Sequence, residues 1–290
     1  MNGKIMDCRE LGKALKDQVK STIDKLKLGG LPAPELVIIQ VGDDPASSLY
    51  IRNKEKACEY CGIKTRTINL PTVIASDETL TKIIEDLNND LNVSGIMIQL
   101  PLPDTISESV LQKIAPEKDV DCFNNKNIGA FTKNINNLNT LPCTVFGIHM
   151  LLNTTNVDLE GKECVVVGRS DIVGKPTANL MTQLNTTVTL CHSKTKNLTD
   201  HLRRADIIIS AVGKPEFITS DCVKEGAIII DVGINKNSEG KTCGDVLIDD
   251  ALLEKVEWVT PVPYGMGQLT VACLMLNTLS LYINRLTPVQ

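Results

Sequence analysis

Apolar positions along this chain alternate between two periods. Leu11, Leu15, Val19, Ile23 and Leu26 recur every three or four residues. They define one face of a helix that opens near Asp7, with Glu10 three residues on, and stops at Gly29-Gly30. Leu36 to Val41 is a short β-branched run, which predicts a strand, and the polar stretch 42–45 predicts a loop after it. A helix over Ala46 to Tyr60 ends at Gly62, and a strand follows over Ile63 to Leu70. A further helix over Asp77 to Leu91 and a strand over Gly95 to Ile98 complete a β-α-β-α-β layer by residue 100.

The pattern then breaks. Residues 124–139 carry seven asparagines, which favour turn over packed element, so the stretch reads as a loop between domains. A second alternating series follows, with strands predicted at Cys164–Val167, Thr187–Leu190, Ile207–Ser210, Ala227–Asp231 and Trp258-Val259, and helices between them. Leu269 to Leu286 is a last amphipathic helix. Alternation of this kind defines an α/β protein with mainly parallel sheets. The predicted division is an N-terminal α/β catalytic domain over 1–141, closed by 270–290, and a Rossmann-like nucleotide-binding domain over 142–269.

Composition narrows the function classes. The chain has 290 residues, 42% hydrophobic and 22% charged, the mix of an ordinary globular protein. Its longest unbroken apolar run, Val271 to Leu276, is far below the roughly 18 residues of a bilayer span, so no membrane partner is expected. Thirty basic against thirty-five acidic residues leave a net charge of −5, which offers no basic footprint for nucleic acid. Asp7, Glu10, Asp17 and Asp24 interrupt the first thirty residues, unlike a signal or transit peptide, and a cytoplasmic setting is expected. The ten cysteines are scattered. Cys58 and Cys61 form one C-x-x-C without a second pair at zinc spacing, so buried thiols and no metal are expected.

The strongest local signal is Glu163 to Pro176, ECVVVGRSDIVGKP. A hydrophobic strand ends at Gly168 and a helix is predicted from Val173-Gly174. Backbone N–H groups at such a start hold phosphate, and glycine lets the ligand approach. The spacing G-R-S-x-x-x-G departs from G-x-G-x-x-G, so by itself it fits either a dinucleotide turn or a plain strand–turn–helix connection. The surrounding strand–helix alternation favours the first. The next strand, TVTLCHSKT, ends in Cys191-His192-Ser193-Lys194 where an NAD site places a carboxylate for the ribose 2′-hydroxyl. A hydroxyl and cations suit a 2′-phosphate, so NADP is expected over NAD, although His192 and Lys194 also fit a solvated turn.

A second cluster lies in the first half. Tyr50 and Lys54 are four apart and share a helix face, an arrangement equally common for a surface cation packing its stem. Gln99 ends a buried strand before a Pro-Leu-Pro turn, and Asp121 follows in EKDVDCF. An amine, an amide, a phenol and a carboxylate are thus candidates to converge at the carboxyl edge of a sheet.

These residues carry a resemblance. The chain resembles the bifunctional methylenetetrahydrofolate dehydrogenase/methenyltetrahydrofolate cyclohydrolase family over nearly its full length, in VGDDPASSLYIRNKEKACEYCGI, GIMIQLPLP, PEKDVDCFN, PCTVFGI, VVVGRSDIVGKP, TVTLCHSKT, GAIIIDVGIN, GDV and TPVPYGMGQLT. The resemblance implies that Tyr50 stacks on folate, that Lys54 serves the cyclohydrolase step assisted by Gln99, and that Asp121 binds the pterin. It implies folate contacts for Ile98, Leu100, Pro263, Tyr264, Gly265 and Gly267. Gly168, Arg169, Ser170, Ser193 and Ile234 are implied at the NADP site, and a homodimer is implied as the assembly. Three departures stand out. Cys122 replaces a glycine, Val145 replaces a proline, and Pro263-Tyr264-Gly265-Met266-Gly267-Gln268 replaces Pro-Gly-Gly-Val-Gly-Pro. A tyrosine in place of the first glycine is expected to deny the loop φ > 0, and Gln268 to restore a backbone N–H. Two other readings remain beside this one: another NADP dehydrogenase of two α/β layers, such as an amino-acid dehydrogenase, and a degenerate paralogue that binds NADP or folate without turnover.

Overall fold

The computed structural model describes residues 4–133 and 140–286. The chain divides into two compact units. One comprises Lys13–Cys143 and the chain from Val271 onward, and the other the chain up to Gly12 together with Thr144–Thr270.

The first unit opens with α1 (Cys8–Leu28), whose leading turn belongs to the second unit. Asp7 Oδ1 caps it by accepting from the amides of Arg9 and Glu10 at 3.1 and 3.0 Å, and Leu15, Val19 and Ile23 form its buried stripe. Then come β1 (Glu35–Val41), α2 (Pro45–Cys61), β2 (Lys64–Leu70), α3 (Asp77–Asn89) and β3 (Val93–Ile98). The strands form a parallel sheet ordered β2-β1-β3, with β1 buried along its length. The winding reverses between β1 and β3, which leaves a crevice beyond their carboxyl ends. Val37, Ile39, Leu80, Ile84, Ile96 and Ile98 pack into the core on one side of this sheet. Helix α3 ends at Asn89, two residues before the predicted stop, because the Asp90 carboxylate accepts from the Asn92 amide and turns the chain.

The asparagine-rich stretch is not all loop. Residues 125–133 form α4 (Asn125–Lys133), with Asn127 and Phe131 buried one turn apart. Asn124 Oδ1 accepts from the Lys126 amide, and Asn127 Nδ2 donates to Pro116 O and Asp119 Oδ2, both at 2.9 Å. The side chains that compete with a helix backbone in a loop are here taken up by capping and by a buried carboxylate. Residues 134–139 of the same prediction lie outside the described ones.

The second unit carries α5 (Cys143–Leu152), β4 (Glu163–Val167), α6 (Gly174–Gln183), β5 (Thr187–Cys191), α7 (Leu198–Arg204), β6 (Ile207–Ser210) and β7 (Ile228–Asp231). A short hairpin of β8 (Asn235–Lys236) and β9 (Thr242–Cys243), then α8 (Asp250–Lys255) and β10 (Trp258–Val259), precede the last helix, α9 (Met266–Leu286). Five strands form one parallel sheet, ordered β10-β7-β6-β4-β5. Relative to the chain this is 2-1-3-4-5, a doubly wound sheet that reverses between β4 and β6. The chain up to Gly12 packs with this compact unit. Ile5 bridges Val259 in parallel, and the Met6 amide donates to Val259 O at 2.9 Å, so the chain start extends the sheet next to β10.

Helix α9 begins three residues earlier than predicted, at Met266, because the Gln268 amide reaches Gly265 O at 3.0 Å. It is long and apolar enough to cross a membrane, a property that counting unbroken apolar runs misses, but 61% of its most apolar eighteen residues are buried inside the protein. Asn277 on this helix is buried and donates to Val120 O and Leu141 O at 2.7 and 2.8 Å. Asn277→Leu keeps the branched shape but removes the amide donor that both carbonyls share, leaving Val120 O to the weaker Cys143 thiol, and is expected to cost about 1–3 kcal/mol. Urea unfolding checks this: the midpoint should fall with the slope unchanged, whereas a shift of only a few tenths would show that the pair is dispensable.

Candidate active site

The candidate residues of the first unit sit at its crevice. Asp44 caps α2 by accepting from the Ser47 amide at 2.7 Å, which fixes the helix start beside the end of β1. Tyr50 follows on the next turn, 38% exposed, and Lys54 one turn later. The Lys54 amine lies 3.0 Å from Gln99 Oε1 and 3.3 Å from Met97 Sδ. Gln99 is itself held, since its Nε2 donates to Leu100 O at 2.7 Å. Burial lowers the Lys54 pKa below that of an ordinary lysine, and the negative charge of Asp121 opposes the shift. Lys54 is therefore not a surface cation; its amine is enclosed between a thioether and an amide.

Asp121 is placed by its neighbour. Asp119, fully buried, accepts from the amides of Phe123 and Asn124 at 3.0 and 2.8 Å and from Asn127 Nδ2, and burial raises its pKa. This staple turns the loop so that Asp121 lies within electrostatic reach of Lys54. Cys122 follows in the left-handed region, φ 59°, a conformation that favours glycine. Cys143 is buried beside Val120 O at 3.4 Å, and burial raises its thiol pKa well above normal. Ile98 does not face the crevice: at 1% exposure its side chain belongs to the core, and Leu100 packs against the same core. Among the described residues no histidine, cysteine or carboxylate cluster is suited to a metal, and all ten thiols are free.

In the second unit Gly168 closes β4, its amide donating to Cys191 O at 2.9 Å. Gly168 has φ 121°, and a side chain there would collide with Ala211 O; one at Gly174 would collide with Gly168 O. Only glycine permits this flat turn at the sheet's reversal point. Ser170 Oγ accepts from the amides of Val173 and Gly174, both at 3.2 Å, and so caps α6, which starts where predicted. Val167 and Cys191 are register partners, so Arg169 and Ser193, each two residues further on, are exposed at neighbouring strand ends. No carboxylate closes β5. The His192–Thr195 turn is ordered: the His192 amide donates to Thr195 Oγ1 and the Lys194 amide to His192 Nδ1. Ile234 is exposed at the end of β7. A flat glycine turn, a helix start, and an arginine and hydroxyl without a competing carboxylate fit a dinucleotide that bears a 2′-phosphate.

The loop Pro263–Gly267 belongs to this unit. Tyr264 adopts φ 75°, contrary to the expectation that a tyrosine excludes it. Its ring, 55% exposed, lies 4.4 Å under the Arg9 guanidinium, a cation–π contact of about 0.5–1 kcal/mol that offsets part of the strain. Gly265, buried against Pro261 O, leaves the turn no alternative path. Pro263 and Gly267 are exposed. Sequence reasoning missed Met97, Asp119 and Cys143 around Lys54. An aspartate repeated two residues apart in Asp119-Val120-Asp121 was the available signal, one to staple the loop and one to serve the site.

Fold and site define a class: a protein of two parallel α/β units, one a doubly wound dinucleotide sheet, the other carrying an enclosed lysine–amide pair at its crevice. The model of the tetrahydrofolate dehydrogenase/cyclohydrolase catalytic domain matches residues 6–121, and that of the NAD(P)-binding domain matches residues 142–286. The chain belongs to the tetrahydrofolate dehydrogenase/cyclohydrolase family. It is 50% identical over 274 residues to the bifunctional protein FolD of Agathobacter rectalis, covering 94% of this chain and 96% of that one. It is 48% identical to the bifunctional protein FolD of Lachnoclostridium phytofermentans, covering 94% and 95%. Among solved structures it is similar to the bifunctional FolD methylenetetrahydrofolate dehydrogenase/cyclohydrolase of Campylobacter jejuni, with TM-score 0.93 and 41% identity over 97% of this chain and 99% of that one. The Trypanosoma brucei dehydrogenase-cyclohydrolase, solved with NADP cofactor and an inhibitor, gives 0.92 and 33% identity over 98% of each.

Proposed function

We propose that the protein is a bifunctional one-carbon folate enzyme: it oxidises 5,10-methylene-tetrahydrofolate to 5,10-methenyl-tetrahydrofolate with NADP, then hydrolyses that product to 10-formyl-tetrahydrofolate. The observation that carries this reading is the Lys54–Gln99 pair, an amine held at 3.0 Å from an amide and with its pKa lowered by burial. Family membership supports both activities.

NADP, when bound, supplies the hydride acceptor. Gly168 and Gly174 pack the turn tightly against Ala211 and each other, so the start of α6 would hold the pyrophosphate, and Arg169 with Ser193 would bind the 2′-phosphate. Oxidation leaves a methenyl cation on the folate, a step that asks the protein for alignment and exclusion of water and for no proton. Tyr50 supplies a ring to stack on the pterin, and Asp121 accepts hydrogen bonds from it. Hydrolysis does need proton transfer. Water adds to the cationic carbon and gives up one proton, the C–N bond to one ring nitrogen breaks as that nitrogen is protonated, and the remaining hydroxyl proton passes to solvent as the formyl C=O forms, so one proton is released for each cation hydrolysed. Lys54 in its neutral form takes the proton from water and returns it to the leaving nitrogen. Gln99 aims the amine and Met97 keeps it from bulk water. A non-catalytic paralogue finds no support in this geometry, since Lys54, Gln99 and Asp121 gather around one crevice.

A homodimer, a cytoplasmic setting and a contribution of 10-formyl-tetrahydrofolate to purine biosynthesis belong to the same reading. The homodimer is supported by β5, an edge strand of a five-stranded sheet whose Leu190 is 36% exposed. Folate and NADP are the expected small-molecule partners, without nucleic acid or membrane.

Lys54→Met keeps the stem and removes the amine. It should lower methenyl-tetrahydrofolate hydrolysis by about a hundredfold or more while NADPH formation survives in part. Hydrolysis at the wild-type rate would mean that another group is the base. Arg169→Ala should weaken NADP by about 1.5–3 kcal/mol and NAD far less, because only NADP loses a charged contact. Titration of both cofactors checks this, and equal losses would remove Arg169 from the 2′-phosphate.

A further inference from the structure

The nucleotide unit contains a second polar cluster that the reaction does not use. Asp231, the last residue of β7, and Asp245, just beyond β9, are both fully buried. Asp245 accepts four hydrogen bonds. Ser210 Oγ and the Val212 amide reach its Oδ2 at 2.8 and 2.9 Å, and the Lys214 amide and Asn235 Nδ2 reach its Oδ1, both at 2.9 Å. Asp231 accepts from the amides of Gly233 and Val246, both at 2.8 Å. A side chain at Gly233 would collide with Asp245 Oδ1, and one at Gly244 with Asp231 Oδ2, so each carboxylate is wedged against a glycine of the other's segment.

The donors define what this holds. Val212 and Lys214 lie in the loop after β6, Gly233 in the loop after β7, and Asn235 opens β8 where that loop ends. The first of these loops borders the sheet's reversal point, where Gly168 abuts Ala211 O. The second presents Ile234 to solvent. Burying a carboxylate costs several kcal/mol unless hydrogen bonds satisfy it, and two are kept here behind the loops that face the dinucleotide. We infer that Asp245, seconded by Asp231, is a positioning residue for NADP: it draws the amides of two carboxyl-edge loops inward and so fixes the surface that the nicotinamide half meets. This rests on the NADP-dependent reading above.

The test uses the whole enzyme and three readouts. Asp245→Asn replaces one acceptor oxygen with an amide that faces donors. In the cofactor-free protein, exchange of the Val212 and Lys214 amides should quicken by about tenfold or more as the loop loosens. The NADP dissociation constant should rise by about tenfold, read by calorimetry. Hydrolysis of methenyl-tetrahydrofolate without cofactor, which relies on Lys54 in the other unit, should stay within about twofold of wild type. Asn235→Ala, which keeps both carboxylates and removes one donor, should show the same pattern more weakly, and decides the matter if Asp245→Asn does not fold. An unchanged NADP affinity with quickened exchange would overturn the inference, as would a loss of hydrolysis equal to the loss of NADP binding. A wild-type enzyme that binds no NADP would instead overturn the functional reading itself.

Discussion

An ammonium taken out of water without a carboxylate beside it is the tension around which the first unit is built. Lys54 meets an amide oxygen and a thioether sulfur, and among the described residues it makes no salt bridge. A direct ion pair would stabilise the charged form and hold the amine as a cation. The arrangement does the opposite: burial depresses the pKa, and Asp121 is near enough to oppose that shift without forming an ion pair. Everything nearby serves to maintain this balance. The Asp44 cap fixes where α2 starts, the bond from Gln99 to Leu100 O fixes the amide, and the Asp119 staple fixes how near Asp121 comes.

Topology puts the functional groups of each unit at an equivalent place. Both sheets wind outward from an interior strand, and right-handed crossovers leave one open crevice where the winding reverses. In the first unit that crevice lies beyond β1 and β3, where Gln99 stands. In the second it lies beyond β4 and β6, where Gly168 turns against Ala211. Each unit therefore offers its chemistry at a strand end without distorting its core. Cys122 and Tyr264 both adopt left-handed backbone, and such residues persist only where their surroundings over-determine them.

The periodicity of the chain was enough to place the strands and most helices, because buried parallel strands and amphipathic helices write their packing directly into residue type. Gln99 and the Gly168–Gly174 turn stand at the ends of strands whose apolar runs announce them, and Tyr50 and Lys54 stand one turn apart within a helix that the chain's period places. Three features were not. The helix at Asn125–Lys133 hid behind asparagines whose side chains are taken up by a cap at Lys126 and by Pro116 and Asp119 upstream, so local propensity pointed the wrong way. The pairing of the chain start with β10 rests on a parallel bridge between Ile5 and Val259 and the backbone hydrogen bonds around it, which leave no periodic trace. Tyr264 broke a rule of backbone preference, and its compensation, the guanidinium of Arg9, lies more than two hundred residues away. Residues such as Ile98 show the converse limit, since a strand-end position next to Gln99 still points its side chain into the core.

The central claim is that Lys54 works as a base because burial leaves part of it neutral, while hydride transfer makes no demand on it. The direct measurement is to record both activities across pH on one preparation, with the uncatalysed hydrolysis subtracted. Methenyl-tetrahydrofolate hydrolysis should rise to a plateau with a midpoint below the roughly 10.4 of a free lysine, because a lowered pKa enlarges the neutral fraction at every pH beneath it. NADPH formation over the same range should not follow that curve. A hydrolysis midpoint at or above that of a free lysine, or two activities that rise together, would contradict the account.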